Sequence, residues 1–131
     1  MRALLLIVAV LLALCATSCK MTTAQRVSMA GESAYQLKQV AAPAWSGICK
    51  LKAEKCVKEG VTASKDCKPW VTCQAALKKF YEAHLLVQRS VQQAAWWILQ
   101  GDEGMAKKLI GSAITALGTA TELARAEGAL K

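Results

Sequence analysis

The chain has 131 residues, of which 54% are hydrophobic and only 5% aromatic, and it carries 17 basic against 9 acidic side chains. This length suits one domain, and two prolines with no strand-length alternating run exclude a β-rich fold, so an all-α fold is predicted. The net charge of +8 favours acidic partners.

The first eighteen residues differ from the rest of the chain and predict an export signal. Arg2 gives a basic start, an unbroken apolar run covers residues 3–14, and three small residues at 16–18 suit a cleavage site. The apolar run is shorter than the roughly twenty residues that a membrane-spanning helix needs, so we expect cleavage and not a retained anchor. Residues 1–18 are therefore predicted to be a signal peptide.

The end of this segment carries a short motif, Ala16-Thr17-Ser18-Cys19, which resembles the lipobox of bacterial lipoprotein precursors. It departs from the family at Ala16, where Leu is usual. The resemblance implies that Cys19 receives lipid and becomes the mature N-terminus. It also implies an outer-membrane or periplasmic location in the cell envelope, because Lys20 differs from the Asp that commonly marks inner-membrane retention. An ordinary signal peptidase would cut before the same cysteine.

The cysteine count favours lipidation over ordinary cleavage. Of the six cysteines, Cys15 leaves with the signal, and acylation of Cys19 leaves an even number, namely Cys49, Cys56, Cys67 and Cys73. An even number suits an oxidising compartment, whereas ordinary cleavage would leave a fifth, unpaired thiol.

Beyond a short tether over residues 19–23, a helical domain is predicted over residues 24–131. Apolar residues recur at helical spacing in a first helix that ends near residue 41, because Pro43 lacks an N–H and restricts the residue before it. A second helix is predicted from about Pro43 to Lys58. Its outer face is strongly basic and carries Lys50, Lys52, Lys55 and Lys58.

The longest periodic stretch runs from Trp70 to Ile98, where apolar positions three and four residues apart predict one long helix with a buried seam. Gly101 marks its end, and Asp102 caps a last helix. Three glycines recur every seven residues in that helix and predict the close approach of another helix. Because short loops make neighbouring helices antiparallel, the predicted architecture is a small four-helix bundle.

The four remaining cysteines predict a stapled helical hairpin. Folding the hairpin at its loop brings Cys56 opposite Cys67 and Cys49 opposite Cys73, so this nested pairing is favoured among the three possible ones. Gaps of six, ten and five intervening residues are not the spacing of a zinc module, and no Cys-x-x-Cys occurs. We expect neither a metal site nor a redox dithiol.

His84 is the only histidine, and it lies in the seam of the long helix. We interpret it as a hydrogen-bonded core imidazole, although a base or a pH sensor is the functional alternative. No nucleophile motif, glycine-rich phosphate loop or paired-carboxylate motif accompanies it. The sequence therefore predicts a protein that is not an enzyme and needs no cofactor.

Two adjacent tryptophans, Trp96 and Trp97, are the strongest candidates for a contact surface. Neighbouring helix positions point about 100° apart, so both rings can hardly enter one seam. The outer ring is then either an interfacial anchor or a partner contact, or it is buried by a further helix or a second copy of the chain.

Together these features predict an envelope-anchored, non-enzymatic binding or structural lipoprotein that presents a basic helical domain. Loss of Arg2 with the signal leaves 16 basic and 9 acidic residues, which favours anionic lipid, lipopolysaccharide or an acidic envelope protein as partner. Nucleic acid lies in the wrong compartment for an exported chain. The alternative is a membrane-active or lysis-related exported protein whose Trp-rich end inserts into lipid.

Overall fold

Three helices make up most of residues 21–131, the part of the chain that the computed structural model describes. Helix α1 spans Thr23–Lys58, α2 spans Lys68–Leu99 and α3 spans Glu103–Ala126, and a short 3₁₀ turn at Ser64–Asp66 precedes α2. These described residues contain no strand, so the all-α prediction is confirmed. The predicted signal peptide and the lipidation of Cys19 fall on residues outside them.

Local capping explains where the helices begin and end. The Thr22 hydroxyl accepts a hydrogen bond from the Gln25 amide, and the Gln25 side chain accepts one from the Thr22 N–H, which makes a capping box at the start of α1. The helices α1 and α2 each stop at a glycine with positive φ, Gly60 at 84° and Gly101 at 79°. In both cases the residue after the glycine donates its N–H back into the last turn, a Schellman motif.

Helix α1 is continuous over 36 residues and passes through Pro43, where the sequence predicted a break. Pro43 and Gln39, the residue whose carbonyl loses its donor, both lie on the exposed face, so water can reach that carbonyl. On the opposite face Leu37, Ala41 and Trp45 are fully buried on both sides of the proline. Burial therefore overrides the local preference, and the four-helix prediction is not confirmed, because the described residues form three helices.

The core divides into a large and a small cluster. The large one is built around Trp45 and Phe80, whose ring centroids lie 5.4 Å apart, and includes the Cys49–Cys73 disulfide. The small one surrounds the first turns of α1 and α3, and it contains Val27, Ala94, Ala106 and Ile110. Thus α2 packs against both other helices and supplies most of its predicted seam to the interior.

The helices run up, down and up, which gives the bundle two distinct ends. We call residues 21–27 with 96–108 the tryptophan end, because the start of α1 meets the turn between α2 and α3 there. We call residues 49–73 the disulfide end. Among the helices of the described chain, none is both long enough and apolar enough to cross a membrane.

Candidate functional site

The disulfide end is held by two bridges that join α1 to the chain around the start of α2. Cys49 is bonded to Cys73 with a Cα–Cα distance of 5.6 Å, and Cys56 is bonded to Cys67 with a Cα–Cα distance of 5.8 Å. This is the nested arrangement that the hairpin geometry predicts. Both bridges are buried, so they hold α1 in place from its inner side and leave its outer face exposed.

That outer face carries the four lysines singled out from the sequence, and the structure separates their roles. Lys52 is half-buried and its Nζ lies 3.3 Å from the Glu127 carboxylate just after α3, so it ties the chain end to α1. Lys55 lies 3.9 Å from a glutamate one turn later. Lys50 and Lys58 are exposed and have no salt-bridge partner within the described chain. These two are therefore the charges available to a partner.

Two apolar side chains on this face were missed by the sequence analysis. Leu51 is 66% exposed and Val57 is 70% exposed, and Val57 lines a shallow surface depression together with Lys50, Lys58 and one carboxylate, that of Glu54. The signal was their position: both fall outside the buried stripe through Cys49 and Cys56. Exposed apolar side chains with charged groups around them match the apolar centre and polar rim of a protein contact surface.

At the tryptophan end, one of the two adjacent tryptophan rings is half-buried and the other is exposed. Trp97 is half-buried against the small core cluster, whereas Trp96 is 52% exposed and meets the edge of the Trp97 ring at a centroid distance of 4.8 Å. Leu99, one helical turn after Trp96, is 82% exposed at the last residue of α2. No other helix of residues 21–131 covers the outer ring, so these two side chains form an apolar tip.

The start of α1 is fastened to this same end. The Thr23 hydroxyl donates a hydrogen bond to the Glu103 carboxylate, and Ile98 and Gly101 line a cleft with both residues. The Thr23 hydrogen bond, followed by the charge of Lys107 at 3.4 Å, holds the pKa of Glu103 below its ordinary value. The Glu103 carboxylate therefore joins two parts of the bundle. If the first turn of α1 moved away from the α2–α3 turn, the hydrogen bond between Thr23 and Glu103 would break.

His84 is a buried part of the interface between α1 and α2. Its Nε2 lies 3.0 Å from the Ala34 carbonyl oxygen, and because a carbonyl only accepts, the ring nitrogen donates. Burial is the main cause that lowers the pKa of His84; the hydrogen bond to the Ala34 carbonyl opposes it, and the charge of Lys38 adds a smaller lowering. The imidazole therefore acts as a neutral link between two helices. Among the described residues, no group of three metal-ligating side chains occurs at His84 or elsewhere.

No helix of the described chain packs closely against Gly111 or Gly118 of α3. A Cβ built on Gly111 or Gly118 would meet nothing within 4 Å. Gly111 instead lines an open groove between α2 and α3 together with Leu86 and Thr115. The predicted close approach of a helix at these glycines is therefore wrong within residues 21–131.

Comparisons of the chain with protein-family models, with curated proteins and with solved structures found no match. The described residues carry two surfaces at opposite ends of the bundle: unpaired lysines with exposed apolar side chains at the disulfide end, and an apolar tip at the tryptophan end.

Proposed function

We propose that this protein is an envelope-anchored, non-enzymatic binding lipoprotein, held by lipid on Cys19, that presents a basic helical domain to an acidic envelope protein. The observation that carries the proposal is the separation of the two ends. Helix α1 has 36 residues and is about 54 Å long at 1.5 Å per residue. A chain anchored just before Thr23 therefore carries Lys50 and Lys58 far from its point of attachment.

In a bundle that stands upright on its anchor, this separation favours a protein partner over the headgroups of the bilayer that holds the anchor. Electrostatic attraction to a membrane surface falls off within a Debye length, about 8 Å at physiological ionic strength. Residues 50–68 include six lysines and only three acidic residues, so the disulfide end keeps a local positive charge. Leu51 and Val57 add an apolar contact that an acidic polymer alone would not require.

The absence of an enzymatic role is part of the proposal. His84, the residue that an enzyme hypothesis would use, is buried and donates its Nε2 hydrogen to a backbone carbonyl. A base that is neutral, enclosed and already hydrogen-bonded within a helix interface has no access to a substrate. The disulfide cysteines are likewise bonded to each other and buried.

Attachment is tested by replacing Cys19 with alanine in the full precursor and following the protein in membrane and soluble fractions. We expect the wild-type chain in the membrane fraction, with an intact mass that includes acyl chains and rises by about four hydrogens on reduction of two disulfides. The Cys19→Ala chain is expected in the soluble fraction. Wild-type protein of unmodified mass, or equal distribution of the two chains, would contradict the anchor.

Binding through the disulfide end is tested with immobilised poly-glutamate as the acidic probe. Lys50→Gln with Lys58→Gln is expected to weaken retention about threefold to tenfold at low salt, because two unpaired charges are lost. Lys79→Gln with Lys108→Gln is the matched control, since it removes the same charge from two exposed lysines that have no salt-bridge partner in the described chain and lie away from this surface. Equal weakening by both pairs would mean that net charge alone, and not this surface, binds the probe.

The alternative, a membrane-active protein, has the exposed Trp96 and Leu99 in its favour. It predicts dye release from vesicles that contain anionic lipid. Dye retention by vesicles that bind the acylated chain would rule it out.

A further inference from the structure

We propose that the tryptophan end sits in the interfacial layer of the lipid bilayer, so that the bundle stands upright on the membrane with Trp96 and Leu99 as its foot. This inference rests on the proposed function, since it requires the acyl anchor on Cys19. It adds an orientation that the anchor alone does not specify: an upright rod with the disulfide end outermost.

The first step is the reach of the tether. Four residue steps separate Cys19 from Thr23, and a fully extended chain covers at most about 3.6 Å per residue, or roughly 14 Å. Thr23 is hydrogen-bonded to Glu103, four residues beyond the end of α2. The apolar tip therefore cannot rise more than a short distance above an acylated Cys19, whatever path the tether takes.

The second step is the chemistry of the tip. Tryptophan is enriched where a membrane meets water, because its ring is apolar and its N–H is polar. Trp96 is half exposed beside Leu99, which has the largest exposed fraction of the large apolar side chains in the described chain. Next to an acyl anchor, this pair would otherwise remain in water although lipid lies within reach. Its burial in the interface removes apolar surface from water.

The third step is the charge around the tip. The two carboxylates that follow the tip in the sequence both have partners: Asp102 accepts a hydrogen bond from the Met105 amide at 2.9 Å, and Glu103 contacts Thr23 and Lys107. Because Lys107 is paired with Glu103, the exposed Lys108, about 8 Å beyond Glu103 along α3, is the lysine left for lipid. At that height above the apolar tip, Lys108 meets phosphates in the headgroup layer, which is attractive for an anionic leaflet.

The test uses the acylated mature protein in vesicles of phosphatidylethanolamine and phosphatidylglycerol whose acyl chains are brominated, because bromine quenches tryptophan only at contact. The chain has four tryptophans, and Trp45 is fully buried. Trp70 provides a matched control, because it lies on the same helix as Trp96 but about 39 Å away along the axis. The variants are Trp96→Phe and Trp70→Phe, with helix content checked by circular dichroism.

We expect brominated lipid to quench part of the wild-type emission, Trp96→Phe to at least halve the quenched intensity, and Trp70→Phe to leave it unchanged. Equal losses in the two variants would show a rod lying flat, and no loss in Trp96→Phe would show a tip away from lipid; either overturns the upright foot. A Trp96 shielded from both bromine and aqueous iodide would reveal a protein cover and also overturns it. If the intact mass shows an unacylated Cys19, both this inference and the proposed function fail. If the chain is acylated but the quenching differs from the expected pattern, only the upright orientation fails.

Discussion

Replacing Cys49 and Cys73 together with alanine is expected to lower the free energy of unfolding by about 4 kcal/mol. The bridge joins positions 24 residues apart, and loop-closure entropy for a loop of this size accounts for about 3.5 kcal/mol. Both sulfurs are also fully enclosed in the large core cluster, so their removal leaves a void. The measurement is urea unfolding of the non-reduced protein, followed by far-ultraviolet circular dichroism.

The second bridge supplies the control. Cys56→Ala with Cys67→Ala opens a connection of 11 residues at the edge of the bundle, outside both core clusters, and we expect a loss of about 3 kcal/mol. Loss of the Cys56–Cys67 bridge, near the loop, should therefore lower the free energy of unfolding less than loss of the Cys49–Cys73 bridge in the core. A larger loss for Cys56 and Cys67 would show that the core position of the other bridge adds nothing.

The features that sequence reasoning could anticipate were those set by local spacing. The seam from Trp70 to Ile98 predicted a long helix, and α2 spans Lys68–Leu99. The disulfide arrangement followed from two cysteine pairs on facing turns of a hairpin, because a short loop leaves little choice of which turns meet. The end of α2 at Gly101 was likewise encoded by one residue that tolerates positive φ.

The features it could not anticipate depend on contacts between distant parts of the chain. Lys52 was grouped with three solvent-facing lysines, but its partner Glu127 lies 75 residues away. Which of Trp96 and Trp97 stays outside is decided by the small core cluster, to which α1 and α3 contribute. Neither the ion pair of Lys52 nor the exposure of Trp96 can be predicted from neighbouring residues, because each depends on which face of another helix packs at that position.

The break predicted at Pro43 shows the same limit in energetic terms. An interior proline costs a helix about 3 kcal/mol relative to alanine, which is a sound reason to expect an end. What local spacing does not reveal is how much surface is buried on the far side of it. Trp45, two residues later, is fully buried in contact with Phe80, and burial of an aromatic side chain of this size offsets a cost of that order.

Trp45→Ala is accordingly expected to lower the free energy of unfolding by about 3–5 kcal/mol, the second large effect in this molecule. The ring is the largest fully buried side chain and lies next to the Cys49–Cys73 bridge in the large core cluster, so its loss leaves a void that the stapled hairpin cannot collapse to fill. Urea unfolding with both disulfides intact measures the change, and far-ultraviolet circular dichroism reports whether α1 loses helix beyond Pro43.

Trp45→Phe is the control that separates ring volume from the indole N–H. The Nε1 of Trp45 is buried without a hydrogen-bond partner in the described chain, and an unpaired buried donor is itself destabilising by about 1–3 kcal/mol. Phenylalanine removes that donor while keeping most of the apolar contact with Phe80, so we expect a net loss below about 1.5 kcal/mol. If Trp45→Phe were as destabilising as Trp45→Ala, this would contradict the argument that packing of an aromatic ring at residue 45 offsets the cost of Pro43 within α1.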